Sequence, residues 1–184
     1  MHASTEITDY IYNNANQGEV TCIVALDLKR AFDRVCPEAL ANKLSWYNID
    51  NSLIFSFMSN RYQLVETKTF DHSCIQSKLR GNNIGAPQGS CLSCLLFSIF
   101  INGLPNCVPN SKIVLFAEDN YLPHAFKPNQ KLQAIVDIET DLSRINSWMR
   151  DSCASLKINK TELMLCGFQH LLRKIGNFEI IILR

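Results

Sequence analysis

Two apolar runs in this chain each end on acidic residues, and that pairing limits the possible folds more than any other feature. Val20 to Leu28 is dense in Val, Ile and Leu and closes on Asp27 and Leu28. Lys112 to Ala117 is a second such run. It breaks at Glu118-Asp119-Asn120, and Tyr121 to Phe126 reads as its returning hairpin partner. Short apolar runs bounded by turn residues predict buried strands. If the two strands are neighbours in one sheet, Asp27, Glu118 and Asp119 converge at one edge. Carboxylates that close repel one another unless cations lie between them. Hard oxygen donors favour magnesium or manganese. Two such ions can activate a hydroxyl and stabilise a leaving pyrophosphate. On spacing alone, the same acids read more readily as solvated strand ends than as a metal site.

The rest of the chain alternates helix and strand. Thr8 to Asn16 reads as the end of a helix. Pro37 opens a helix to about Tyr47, with proline at its first turn, and Ser52 to Asn60 follows as a second. Tyr62 to Phe70 alternates and is rich in Val and Thr, which predicts a strand. Gly85-Ala-Pro-Gln-Gly89 is a turn-rich loop, and Ser90 can cap an apolar helix to about Asn102. From Gln130 to Arg150, apolar residues at Leu132, Ile135, Ile138, Leu142, Ile145 and Met149 form a helical stripe. Leu156 to Ile158 and Leu163 to Phe168 read as short strands around the polar turn Asn159-Lys160-Thr161. The pattern predicts one α/β layer structure with no internal boundary.

Composition narrows the function classes. Of 184 residues, 47% are hydrophobic, enough for a packed core. The formal net charge of +1 gives no global field for a polyanion, so nucleic-acid binding would need a local basic patch. The eight cysteines are scattered. Cys91 and Cys94 make a lone C-x-x-C without a second pair at zinc-ribbon spacing, so buried free thiols in a reducing compartment are expected. Met1 to Asn16 lacks a basic start followed by an apolar run, so no secretory signal is expected. The most apolar stretch, Cys91 to Ile101, is too short to span a bilayer. An intracellular protein without a membrane segment is the expectation, with nucleus and cytoplasm not distinguished.

Four longer words occur in order: Ala25-Leu-Asp-Leu-Lys-Arg-Ala-Phe-Asp33; Gly85-Ala-Pro-Gln-Gly-Ser90 followed by Leu95-Leu-Phe97; Leu115-Phe-Ala-Glu-Asp119; and Ile158-Asn-Lys-Thr-Glu162. With Asn60-Arg-Tyr-Gln63, Ile101-Asn-Gly-Leu-Pro105 and Trp148, they resemble the palm of reverse transcriptases, most closely those of non-LTR (LINE-type) retrotransposons. The resemblance runs from about Ser4 to about Phe168. It implies a polymerase palm of α/β (α+β) class, a mainly antiparallel sheet packed on helices. It implies RNA-directed DNA synthesis with two Mg²⁺ or Mn²⁺ ions, on an RNA template and DNA primer, from deoxynucleoside triphosphates. Asp27, Glu118 and Asp119 match the metal-binding carboxylates. Lys160 matches the lysine that neutralises or protonates the leaving pyrophosphate. Leu28, Phe32, Gln88 and Gly89 match the nucleotide pocket, Phe32 being the ring that leaves no space for a 2′-hydroxyl. Arg61 and Gln63 are candidates to touch nucleic acid, beside the somewhat stronger reading of an ordinary exposed strand.

The sequence departs from the family pattern at particular places. Glu118 stands where the family has aspartate, Cys94 where proline usually precedes Leu-Leu-Phe, Gly103 where aspartate is common, and Asn120 where threonine is common. An added methylene matters because productive metal geometry tolerates only about half an ångström of error. Residues 1–168 read as the reverse transcriptase domain, partial fingers plus palm. Residues 169–184 read as a C-terminal extension, either the start of a thumb or an unrelated tail. Fingers and thumb are then largely missing, as in a fragment or degenerate copy of a larger polymerase. Two other readings stand beside an active enzyme: an inactive palm-fold remnant with weak nucleic-acid binding, and an interaction module with no nucleic-acid role.

Overall fold

The computed structural model describes residues 3–181. They form two compact units, one built from residues up to Ala31 and from Ile101 onward, the other from Phe32–Phe100. The single layer structure expected from the sequence is therefore divided. One continuous stretch leaves after the first apolar strand, folds on itself, and returns before the second.

The first unit is built on a fully antiparallel sheet. Helix α1 (Ala3–Asn16) leads into β1 (Val20–Asp27), whose residues from Val20 to Val24 are all buried. β6 (Val114–Phe116) and β7 (Asp119–Phe126) form a hairpin, and β8 (Glu162–Cys166) completes the sheet in the order β6-β7-β1-β8. β1 thus lies inside the sheet, and its consecutive buried residues show that both of its faces are covered, which is why its sequence is a near-continuous apolar run rather than an alternating one. Its register with β7 runs from Val20 opposite Phe126 to Asp27 opposite Asp119. Helix α5 (Lys131–Asp151) buries Ala134, Ile138, Asp141, Leu142, Ile145 and Met149. The expected stripe holds through the middle of this helix and fails at its start, because Leu132 is 78% exposed. Asp141, within the buried face, accepts hydrogen bonds from the backbone and side chain of Asn110. The last helix, α6 (Gln169–Ile175), buries Leu171 and Ile175.

Three strand expectations in this unit shift. The second apolar run keeps only three residues as β6, and Asp119 and Asn120 belong to β7 rather than to the break. The chain turns at Ala117 and Glu118, with Ala117 at φ 52°, the positive value a two-residue hairpin demands. Leu156 to Ile158 is not a strand: Leu156 makes an isolated bridge to Leu28, and Ile158–Lys160 is a 3-10 turn.

The second unit contains α2 (Pro37–Trp46), α3 (Asn51–Met58), and α4 (Cys91–Ile101), the last running out of the unit at Ile101. Asp50 caps α3 by accepting from the Ser52 amide, and the Ser90 hydroxyl accepts from the Leu92 amide at the head of α4. Between α3 and α4, the single strand expected over Tyr62 to Phe70 is two short ones. β2 (Arg61–Gln63) pairs with β5 (Arg80–Asn82), and β3 (Glu66–Lys68) pairs with β4 (Cys74–Gln76). Nearly all of these strand residues are exposed, so they carry no inward-facing apolar rhythm to read.

The thiols are not uniformly buried as expected. Cys22 is buried, and burial with the neighbouring Cys166 pushes its pKa up to about 12. Cys74, Cys91, Cys94 and Cys153 are exposed, and no disulfide is formed among the described residues. No helix among the described residues is long and apolar enough to cross a membrane.

Candidate active site

The open end of the β1–β7 pair gathers the charged groups of the first unit. Asp27 ends β1 and Asp119 begins β7, and the two are register partners. Directly opposed residues on neighbouring antiparallel strands share a face, with Cβ atoms about 4.5–5.5 Å apart. A cleft of about 380 Å³ opens there, lined by Ala25, Leu26, Asp27, Asp119, Asn120, Tyr121, Asn159, Lys160 and Glu162. Sequence order separates Asp27 from Asp119 by the whole second unit. The sheet register brings them together.

Lysines face Asp27. The Lys157 ammonium lies 3.3 Å from Oδ1 and 3.2 Å from Oδ2 of Asp27. Lys160 Nζ stands further off, 4.0 Å from Oδ2. Lys160 was expected from its motif, and Lys157 was not. The signal for Lys157 was present in the reading of Leu156 to Ile158 as an extended segment, since an extended neighbour of β1 would carry its lysine to the acid. Periodicity alone names no partner strand, so it does not reveal this pairing.

Glu118 is placed apart from the two aspartates. It occupies the hairpin turn, is exposed, and is not among the residues lining the cleft. Its carbonyl accepts from the Asn120 side-chain amide at 3.0 Å. Among the described residues, no group of three or more His, Cys, Asp or Glu side chains is arranged to hold a metal ion. The expected three-carboxylate convergence is thus a two-aspartate pair with Glu118 in the adjoining turn.

The donor set still suits a hard cation. Magnesium is commonly held by one or two carboxylates plus substrate phosphates, which matches Asp27 and Asp119. Asn120 adds no donor to this pair: it alternates with Asp119 along β7, is register partner of the buried Leu26, and is itself 1% exposed on the core face of the sheet.

The second unit carries the remaining expected residues. Phe32 packs its ring on Phe97 at 4.7 Å between centroids. Its carbonyl accepts from the Ala86 amide, and the Gly85 amide donates to Val35. These bonds clasp Phe32–Val35 to the Gly85–Gln88 loop, and Gln88 Nε2 donates to Asp33 Oδ1 at 2.9 Å. The clasp depends on Gly85, at φ +81°, where a Cβ would lie 2.7 Å from the Asp33 backbone. Gly89, at φ +86°, needs glycine for conformation only, since a Cβ there meets nothing within 4 Å. Arg61, Gln63 and Gln88 border a cleft of about 670 Å³. The Arg61 guanidinium donates to the carbonyls of Met58, Ile84 and Gly85. Gln63 is exposed and accepts from Asn82. Leu28 belongs to the first unit and is buried in its core at 4% exposure.

Comparison with known proteins agrees with this architecture. The sequence model described as reverse transcriptase (RNA-dependent DNA polymerase) matches residues 2–177. Curated protein sequences gave no match. Among solved structures, apo telomerase from Candida tropicalis truncated from its C-terminal domain is similar at TM-score 0.58 and 14% identity, over 90% of this chain and 36% of that one. Apo telomerase from Candida tropicalis is similar at TM-score 0.57 and 13% identity, over 87% of this chain and 32% of that one. Telomerase from Candida albicans in complex with a TWJ fragment of telomeric RNA follows at TM-score 0.53 and 14% identity, over 89% and 32%. The likeness is one of fold, and the chain spans about a third of the length of these telomerases.

Proposed function

This chain belongs to the reverse transcriptase (RNA-dependent DNA polymerase) family, and on that premise we propose that its sheet-end cleft carries out template-directed nucleotidyl transfer. The observation that carries the proposal is the register opposition of Asp27 and Asp119 in a cleft that also holds Lys160. We assign the parent activity to RNA-directed DNA synthesis of the non-LTR retrotransposon kind, on the ordered motifs from Ala25 to Glu162. The partners would be an RNA template, a DNA primer and deoxynucleoside triphosphates.

The proposed roles follow from placement. Asp27 and Asp119 would hold divalent magnesium or manganese, and Glu118 stays in the adjoining turn outside the cleft. When bound, two such ions lower the pKa of the attacking 3′-hydroxyl and stabilise charge on the leaving pyrophosphate. Lys160, more exposed than Lys157, can swing to the pyrophosphate and neutralise it or give it a proton. In the second unit, the Phe32 ring, with Gln88 and Gly89, would form the floor and edge of a nucleotide pocket. Arg61 and Gln63 border the cleft where a template strand would lie.

Primer extension on an RNA template tests the assignment. Extension should require Mg²⁺ or Mn²⁺ and should fall at least about a hundredfold in Asp27→Ala, because misplacing a reacting group by an ångström already has that effect. Extension that survives Asp27→Ala unchanged refutes the site. A second reading draws on the position of Glu118 outside the cleft. In it, the palm fold persists without catalysis and keeps weak nucleic-acid binding. Restored extension in Glu118→Asp excludes this second reading, and inactivity of both wild type and Glu118→Asp favours it.

A further inference from the structure

Lys157 is held beside Asp27 by its own main chain. The Lys157 amide donates to the Asp27 carbonyl at 2.8 Å, and the Lys29 amide donates to the Ser155 carbonyl at 2.8 Å. Leu28 and Leu156 form an antiparallel bridge between these two bonds, and both leucines are in the core at 4% and 8% exposure. The backbone at Lys157 is therefore placed by bonds that do not involve its side chain. From that position the ammonium straddles both Asp27 oxygens at 3.3 and 3.2 Å. The pair is about one-third exposed on each side, 34% for Lys157 and 31% for Asp27. Its attraction is less screened than that of a surface pair.

An ammonium in this place occupies the carboxylate lone pairs that a metal ion would use. Two cations at one carboxylate repel each other, so the lysine and a divalent ion compete. We propose that Lys157 is the resident counter-ion of Asp27, and that a divalent cation reaches this carboxylate only by displacing it. The proposal rests on the assignment of Asp27 as a metal ligand. It makes loading of the site conditional. Without substrate, the lysine keeps the carboxylate neutralised and excludes loosely bound ions. A nucleoside triphosphate supplies phosphate oxygens that can accept the displaced ammonium, so metal and triphosphate enter together.

Direct Mn²⁺ titration by calorimetry on the full chain, without nucleotide, separates the two claims. Lys157→Gln should bind Mn²⁺ about fivefold tighter or more than wild type, the lower range of a coupling between linked sites. Lys157→Arg keeps the charge and should bind as wild type does, and Asp27→Asn should lose the binding. Thermal melts of each variant check that the fold is retained. Equal or weaker binding by Lys157→Gln, with binding still lost in Asp27→Asn, overturns the counter-ion role and leaves the metal assignment standing. Binding unchanged in Asp27→Asn, or no Mn²⁺ binding to any of these chains, overturns the metal assignment and the proposal together.

Discussion

At the scale of single residues, burial sets chemistry that composition cannot show. His124 lies within β7 at 8% exposure, with Nδ1 3.1 Å from the Ser111 hydroxyl. Burial lowers its pKa from the ordinary 6.5, against the opposing pull of Asp137, Asp141, Asn110 and Glu19. The folded chain therefore takes up this proton later than the unfolded chain as pH falls. Stability is full above the unfolded value and declines as pH drops through about 6.5 toward the lower folded value. The melting temperature of wild type should fall between pH 7.5 and pH 5.5, and in His124→Gln it should fall less. Equal declines in the two chains would assign the effect to carboxylates instead. The same lesson holds for Gly85, whose glycine is required by a 2.7 Å approach to the Asp33 backbone rather than by a ligand.

At the scale of elements, the legible parts are those whose burial repeats along the chain. β1 and β7 are buried on both faces along much of their length, so their apolar runs mark them, and their ends bring Asp27 and Asp119 together as register partners. Glu118 was not legible, because one residue of register decides whether a side chain belongs to the strand or to the turn. β2 to β5 were not legible as separate strands, because they lie on the surface and bury almost nothing. Helix α5 shows both outcomes in one element. Its stripe predicted Ile138, Leu142, Ile145 and Met149 correctly, but Ala134 rather than Leu132 occupies the first buried turn. Leucine outweighs alanine in any hydrophobic count, while the geometry of the face does not weigh size. Ile138→Ala should therefore lose about 2–5 kcal/mol of stability. Leu132→Ala should stay within about 0.5 kcal/mol of wild type, as exposed substitutions do. Denaturant melts of the two variants measure the contrast, and equal losses would contradict the assigned helix face.

At the scale of the whole molecule, charge limits how tightly the chain can hold a nucleic acid. The net charge is +1, and residues 32–100 carry six Lys or Arg against five Asp or Glu. Cations concentrate locally in the paired strands of the second unit and their connections, where Arg61, Lys68, Lys78 and Arg80 stand against Glu66 and Asp71. Arg61 is already bonded to three main-chain carbonyls, so its guanidinium serves the Met58 and Gly85 segments as well as any phosphate. Lys68, Lys78 and Arg80 remain as the cations of this segment that a phosphate could meet. Each phosphate neutralised contributes roughly −0.7 to −0.9 to the slope of log K against log salt. Binding of single-stranded RNA to this segment should then follow a slope of about −2 to −3, shallow for a nucleic-acid protein. Arg80→Gln should reduce the slope by about one at unchanged stability. Arg61→Gln should instead lower the melting temperature, because it breaks the link between Met58 and the Gly85 loop. Fluorescence anisotropy across a salt series, with melts of the same variants, distinguishes the two arginines. A slope much steeper than about −3 would mean that cations outside these strands, such as Lys157 and Lys160 at the sheet end, also contact phosphate.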